Sequence, residues 1–144
     1  MTHTGFTQQA FDAFLESRNE PGWLVDQRRS AWKTFCDKPM PTRGEEEWLR
    51  TDIRLFKLDK FNLPINGIAH SEATEPLLTS GISLGGHCAS LNSHPIRSHI
   101  EPKWEKQGVV FGSLDRLVDQ HGELIQRCLL QRSIAPDHDK FSAL

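Results

Sequence analysis

Tyrosine is absent from this chain, so eight phenylalanines and four tryptophans must carry the aromatic packing. No apolar run approaches the roughly 20 residues that a membrane-spanning helix needs. The opening Met1-Thr2-His3-Thr4-Gly5 lacks the basic-then-apolar pattern of a secretory signal. Cysteine is sparse: Cys36, Cys88 and Cys128 are far apart and odd in number. That excludes a disulfide framework and reads as free thiols in a reducing cytoplasm. Neither sign of charge dominates, with 17 basic and 19 acidic side chains and a net charge of −2. Such a balance makes no electrostatic case for nucleic acid or for an anionic membrane. Gly108-Val109-Val110-Phe111-Gly112 before Ser113 resembles a phosphate cradle only superficially. It has neither Gly-x-Gly-x-x-Gly nor a Gly-Lys-Ser/Thr ending. No internal repeat or low-complexity tract is present.

What is there fits one domain, or a piece of one, with an ordinary core: 144 residues, 37% of them hydrophobic. Phe6, Ala10 and Phe14, widened by Phe11 and Leu15, put an apolar face on a helix over 5–17. Asn19-Glu20-Pro21-Gly22 breaks it. A second helix over about 23–36 buries Leu24, Ala31 and Phe35, with Trp32 beside them. Arg28 on that face lays its stem along it and sends its head to solvent. Residues 64–80 are rich in Pro, Gly, Ser and Thr and read as a flexible polar linker. Beyond it, Ile82-Ser83-Leu84 and Cys88-Ala89-Ser90-Leu91 alternate around Gly85-Gly86, which predicts a hairpin turning at the glycines. Pro95 and Pro102 predict an irregular stretch, and residues 108–112 a compact strand. Ser113 then caps a helix bearing Leu114, Leu117 and Val118, interrupted at Gly122 and resumed by Leu124, Ile125, Cys128 and Leu129. The expected fold is α+β: a helical section 1–63, a linker 64–80, and a small mixed section 81–144.

Residues 39–53 organise the first half. Pro39 and Pro41 cannot sit inside a helix and make a stiff turn. Thr42 and Glu45 have capping-box spacing, and Glu45, Glu46 and Glu47 fall where a helix dipole favours negative charge. Leu49, Ile53 and Phe56 follow at i, i+4, i+7. The spacing predicts an amphipathic helix over about 44–57, with Trp48 at the edge of its stripe and an Arg50–Glu46 pair on its surface. Two readings of Trp48 and Arg50 stand side by side. Either they serve local structure, or they face another subunit or a further domain, where Trp and Arg are typical anchors.

The same stretch, Pro41-Thr42-Arg43 and then Glu46-Glu47-Trp48-Leu49-Arg50-Thr51-Asp52, resembles the N-terminal signature of the SufB/SufD family of iron–sulfur cluster assembly proteins, SufD in particular. Leu49 departs from the basic residue usual after the Trp. Glu20-Pro21-x-Trp23-Leu24 upstream resembles the segment that precedes the signature. Gly108 to Leu114 and the closing Asp139-Lys140-Phe141-Ser142-Ala143-Leu144 resemble the approach to the family's central β-helix. The resemblance spans most of the chain and is weakest over 64–107. It implies that this sequence corresponds to the N-terminal third of a longer protein, a truncated or incomplete form lacking the β-helix. It further implies a non-enzymatic accessory domain of a SufD-like scaffold, with SufB-like and SufC-like ATPase subunits as partners in the cytoplasm. The Fe–S cluster and ATP would then belong to the full complex, and no cofactor or metal to this part. Arg43, Glu46, Glu47, Trp48, Arg50, Thr51 and Asp52 are the signature residues and the candidate interface.

Two rival readings come from the residues themselves. One is a stand-alone protein-interaction module, the resemblance recording ancestry only. The other is a small metallohydrolase using His87, Cys88, His94 and His99. Against the latter, zinc sites usually offer paired ligands such as Cys-x2-Cys or His-x3-His. Adjacent His87 and Cys88 would also point to opposite faces of a strand. Cys36 and Cys128 read as small buried hydrophobes and not as nucleophiles. Asp137-His138-Asp139 looks like an oriented imidazole, but neighbours in sequence rarely bond side chain to side chain in useful geometry.

Overall fold

A computed structural model describes residues 5–65, 81–91, 94–129 and 135–143. The expected mobility of 64–80 falls almost wholly outside these residues. Helices and a two-stranded antiparallel sheet make a small α+β fold. The chain forms two compact units, Met1–Leu63 with Gly122–Leu144, and Pro64–His121. Gly122–Leu144 thus groups with the N-terminal helices.

In the first unit, α1 (Gln8–Glu16) starts at Thr7, whose hydroxyl accepts the Ala10 N–H at 3.2 Å. Its Ala10, Phe11 and Phe14 are buried. The second helix, α2 (Gly22–Asp37), buries Leu24, Trp32 and Phe35. Trp32, expected at the margin, is central. It stacks on Phe11 with ring centroids 4.6 Å apart and on Phe35 at 5.2 Å. Its indole N–H donates to Gln8 Oε1 at 2.6 Å, so the polar tip of a buried Trp is satisfied. Arg28 does not reach for open solvent. Its guanidinium donates to both Glu20 oxygens, at 2.6 and 2.8 Å, and lies 5.2 Å from the Phe14 ring centroid.

The α-helix expected over 44–57 does not form. Two short 3-10 turns, Glu46–Trp48 and Ile53–Leu55, replace it, and a third, Leu58–Lys60, follows. Glu45 is extended, and the Asp52 carboxylate accepts the Arg54 N–H, a local bond that competes with helix propagation. The apolar stripe is also poorly buried, since Leu49 is 60% and Phe56 40% exposed. A short helix without a buried face is marginal in water.

In the second unit, β1 (Gly86–Leu91) pairs with β2 (His94–Ile100). A hairpin is present, but Gly85-Gly86 opens its first strand and does not turn the chain. The glycines are needed for close approach. A Cβ on Gly85 would meet Trp104 Nε1 at 2.9 Å, and one on Gly86 the His99 carbonyl at 3.0 Å. Pro95 lies inside β2, where the register shifts by one residue opposite Ala89 and Ser90. Proline is tolerated in strands at such bulges. A short helix, α3 (Pro102–Glu105), follows, with Pro at its first turn. The expected strand over 108–112 is irregular, and Val109, Val110 and Phe111 are all exposed. The last helix, α4 (Leu114–Cys128), breaks helical geometry at His121, beside the interruption expected at Gly122. Cys36, Cys88 and Cys128 are free and exposed; the burial expected for Cys36 and Cys128 is not found. No helix among the described residues is long and apolar enough to cross a membrane.

Candidate functional site

The signature segment begins at Pro41, which is buried. Half of the expected capping box forms beside it. The Thr42 N–H donates to Glu45 Oε1 at 2.7 Å and the Thr42 hydroxyl to the same oxygen at 3.2 Å. The chain then winds in 3-10 steps, with Trp48 N–H donating to Glu45 O at 3.0 Å and Thr51 N–H to Trp48 O at 3.0 Å. Asp52 ties the two ends of the signature together. It accepts from Arg54 Nε at 2.9 Å and pairs with an Arg43 nitrogen at 2.9 Å. The Arg54 guanidinium, helped by Arg43, lowers its carboxyl from the ordinary 3.8 to about 2. Glu46, Arg50 and Thr51 are exposed, and no Arg50–Glu46 ion pair is found among the described residues.

The partner of this segment comes from the far end of the chain. Asp139 Oδ1 accepts the N–H groups of Phe141 and Ser142, both at 2.7 Å, and the Ser142 hydroxyl at 3.2 Å. These donors, the Ser142 N–H foremost, pull the Asp139 carboxyl below its usual range. The turn they close presents Phe141 to Trp48 at 5.4 Å and, edge-on, to Phe56 at 5.6 Å. Phe56 in turn stacks on Phe61 at 5.0 Å. Lys140 reaches the C-terminus of α2. Its ammonium donates to the Phe35 and Lys38 carbonyls and sits 4.1 Å from the Phe35 ring centroid. Those carbonyls lack partners within the helix, and a cation there also complements the dipole. Lys38 returns the contact by donating to the His138 carbonyl at 3.3 Å. His138 Nε2 lies 3.1 Å from Glu47 Oε2. Ala143 is buried.

Of the seven signature residues, then, Arg43 and Asp52 pair with each other, Glu47 meets His138 and Trp48 meets Phe141. His138, Asp139, Lys140 and Phe141 complete the arrangement. No local spacing announces them, because the contacts cross 91 residues for Glu47–His138 and 105 for Phe35–Lys140. The histidines of the second unit are arranged otherwise. His87 and His99 are cross-strand partners with rings 5.3 Å apart. Among the described residues they gather no third donor to make a metal group.

A helical unit whose signature turn meets a returning C-terminal segment, and a small hairpin unit, together define an α+β module. The model of the SufBD protein N-terminal region matches residues 8–144, and the chain belongs to that family. An iron–sulfur cluster assembly SufBD family protein of Staphylococcus aureus (strain USA300) is 24% identical over 153 residues, covering 97% of this chain and 32% of the relative. One from Staphylococcus epidermidis (strain ATCC 35984) is 24% identical over 156 residues, with the same coverage. The chain thus spans about a third of the length of the curated relatives it matches. No solved structure matches it.

Proposed function

We propose that this chain is the N-terminal accessory domain of a SufD-like scaffold component in iron–sulfur cluster assembly. In that reading it performs no chemistry of its own. It works in the cytoplasm with SufB-like and SufC-like ATPase subunits, and the cluster and ATP are handled elsewhere in the complex. The observation that carries the proposal is the pairing of two stretches that both resemble the family. Glu46 to Asp52 and Asp139 to Ala143 meet through Trp48 and Phe141. The test is affinity purification of the gene product from its own host at native expression. SufB-like and SufC-like subunits are expected to co-elute. A product that elutes without either would overturn the assignment and leave an independent interaction module.

A further inference from the structure

We propose that Glu47, His138 and Asp139 form a binding site for a divalent first-row transition ion of the Zn2+ class. The proposal rests on donor geometry alone and stands or falls apart from the family reading. One imidazole nitrogen and one carboxylate oxygen from each acid lie within 4.8 Å of one another. His138 Nε2 and Glu47 Oε2 are already 3.1 Å apart, slightly inside the roughly 3.3–3.6 Å that two ligands on one tetrahedral ion adopt at metal–ligand distances of about 2.0–2.2 Å. A modest rotation of the exposed Glu47 side chain brings the set onto one centre. A mixed nitrogen and oxygen set suits a borderline ion better than the all-oxygen cages of Ca2+ or the thiolate sites of softer metals.

The Asp139 carboxylate and the His138 backbone are anchored before any ion arrives. Asp139 Oδ1 is engaged by two backbone N–H groups and a hydroxyl, which fixes the carboxylate and leaves Oδ2 for a metal. Such outer contacts orient a ligand and hold it in its charged form. The backbone of His138 is fixed on both sides, its N–H donating to Ala135 O at 3.1 Å and its carbonyl accepting from Lys38 at 3.3 Å. The site faces solvent, with the His138 and Glu47 side chains 52% and 64% exposed. Water can therefore complete the coordination. Because the ligands come from the signature turn and the returning segment, an ion there would cross-link the two.

The test is titration of Zn2+ into the EDTA-treated 144-residue chain by calorimetry, with visible d–d absorption of Co2+ as a second probe. One ion per chain is expected, with affinity falling at least tenfold in both His138→Ala and Glu47→Gln. Asp139→Asn keeps an oxygen for the turn and removes the free carboxylate oxygen, so it is expected to weaken binding while leaving the far-ultraviolet circular dichroism unchanged. The double variant His87→Ala/His99→Ala is expected to bind as wild type. Should His138→Ala fail to fold, exposed Glu47→Gln decides alone. Wild-type chain that takes up no Zn2+ at micromolar concentration overturns the site, as does affinity unmoved by Glu47→Gln or lost only in the His87/His99 variant.

Discussion

Asp52 receives two guanidinium groups, Arg54 at 2.9 Å and Arg43 at 2.9 Å, and the Arg54 N–H at 3.3 Å. A carboxylate so placed is a better acceptor ionised than protonated, and its pKa falls to about 2. The folded value lies below the unfolded one. The contribution of Asp52 is therefore present above about pH 4 and is lost as pH falls toward 2. Arg54 and Arg43 are themselves largely exposed, at 76% and 57%, so solvent screens the pair and the effect on stability is small. The titration itself is the sharper readout. The Asp52 carboxyl carbon followed by NMR is expected to titrate with a midpoint about 2, and Arg54→Ala to move that midpoint up toward 3.8. A wild-type midpoint already at the ordinary value would mean that neither arginine holds the carboxylate in solution.

At the scale of elements, backbone conformation makes two glycines behave oppositely. Gly108 ends the turn after α3 at φ +84°, with its N–H on Glu105 O at 2.9 Å and the Val109 N–H on Trp104 O at 3.1 Å. That left-handed conformation costs a residue with a Cβ roughly 1–2 kcal/mol. Gly122 lies within α4, without a positive φ and with open space where a Cβ would go. Alanine there should gain about 0.5–1 kcal/mol of helix propensity and unfolded-state entropy. Urea melts are expected to show Gly108→Ala less stable than wild type and Gly122→Ala more stable. The reverse order would mean that the kink at His121 needs the glycine beside it. Elements like α1 and α2 were legible in the sequence because their apolar spacing matches the surface they bury. The stretch after Thr42 carried the same spacing, yet Leu49 and Phe56 stay exposed, and local bonds from Glu45 and Asp52 set its turns instead. Gly85-Gly86 misled for a related reason. Glycine marks a close approach as often as a turn, and only the position of Trp104 and His99 distinguishes the two. The pairing of Trp48 with Phe141 was invisible because nothing local encodes which distant residue will arrive.

At the scale of the whole molecule, the residues that hold the first unit are spread over both ends of the sequence. Lys140 caps α2, Phe141 covers Trp48 and Phe56, and Ala143 is buried, all within the last ten positions. A chain ending at residue 134 would leave the α2 carbonyls to water and open the aromatic cluster. Aromatic pairs are worth about 0.5–1.5 kcal/mol each beyond the area they bury. With the lost burial and capping, the deletion should cost about 3–5 kcal/mol, a large share of the 5–15 kcal/mol that ordinarily holds a domain. Two units need not unfold together, so a single melting temperature would blur the effect. Trp104→Phe removes the tryptophan of the second unit and leaves Trp23, Trp32 and Trp48 to report on the first. In that background, deletion of 135–144 is expected to lower the fluorescence melting midpoint markedly, while the ring-proton signals of His87 and His99 keep the pattern of the intact chain. Phe141→Ala alone should reproduce the larger part of the shift, because it removes both ring contacts and leaves the Lys140 cap and the Asp139 turn in place. A deletion that melts like the intact chain would mean that the returning segment rests on the signature without holding it. Trp48 would then have to be explained by a partner outside the chain.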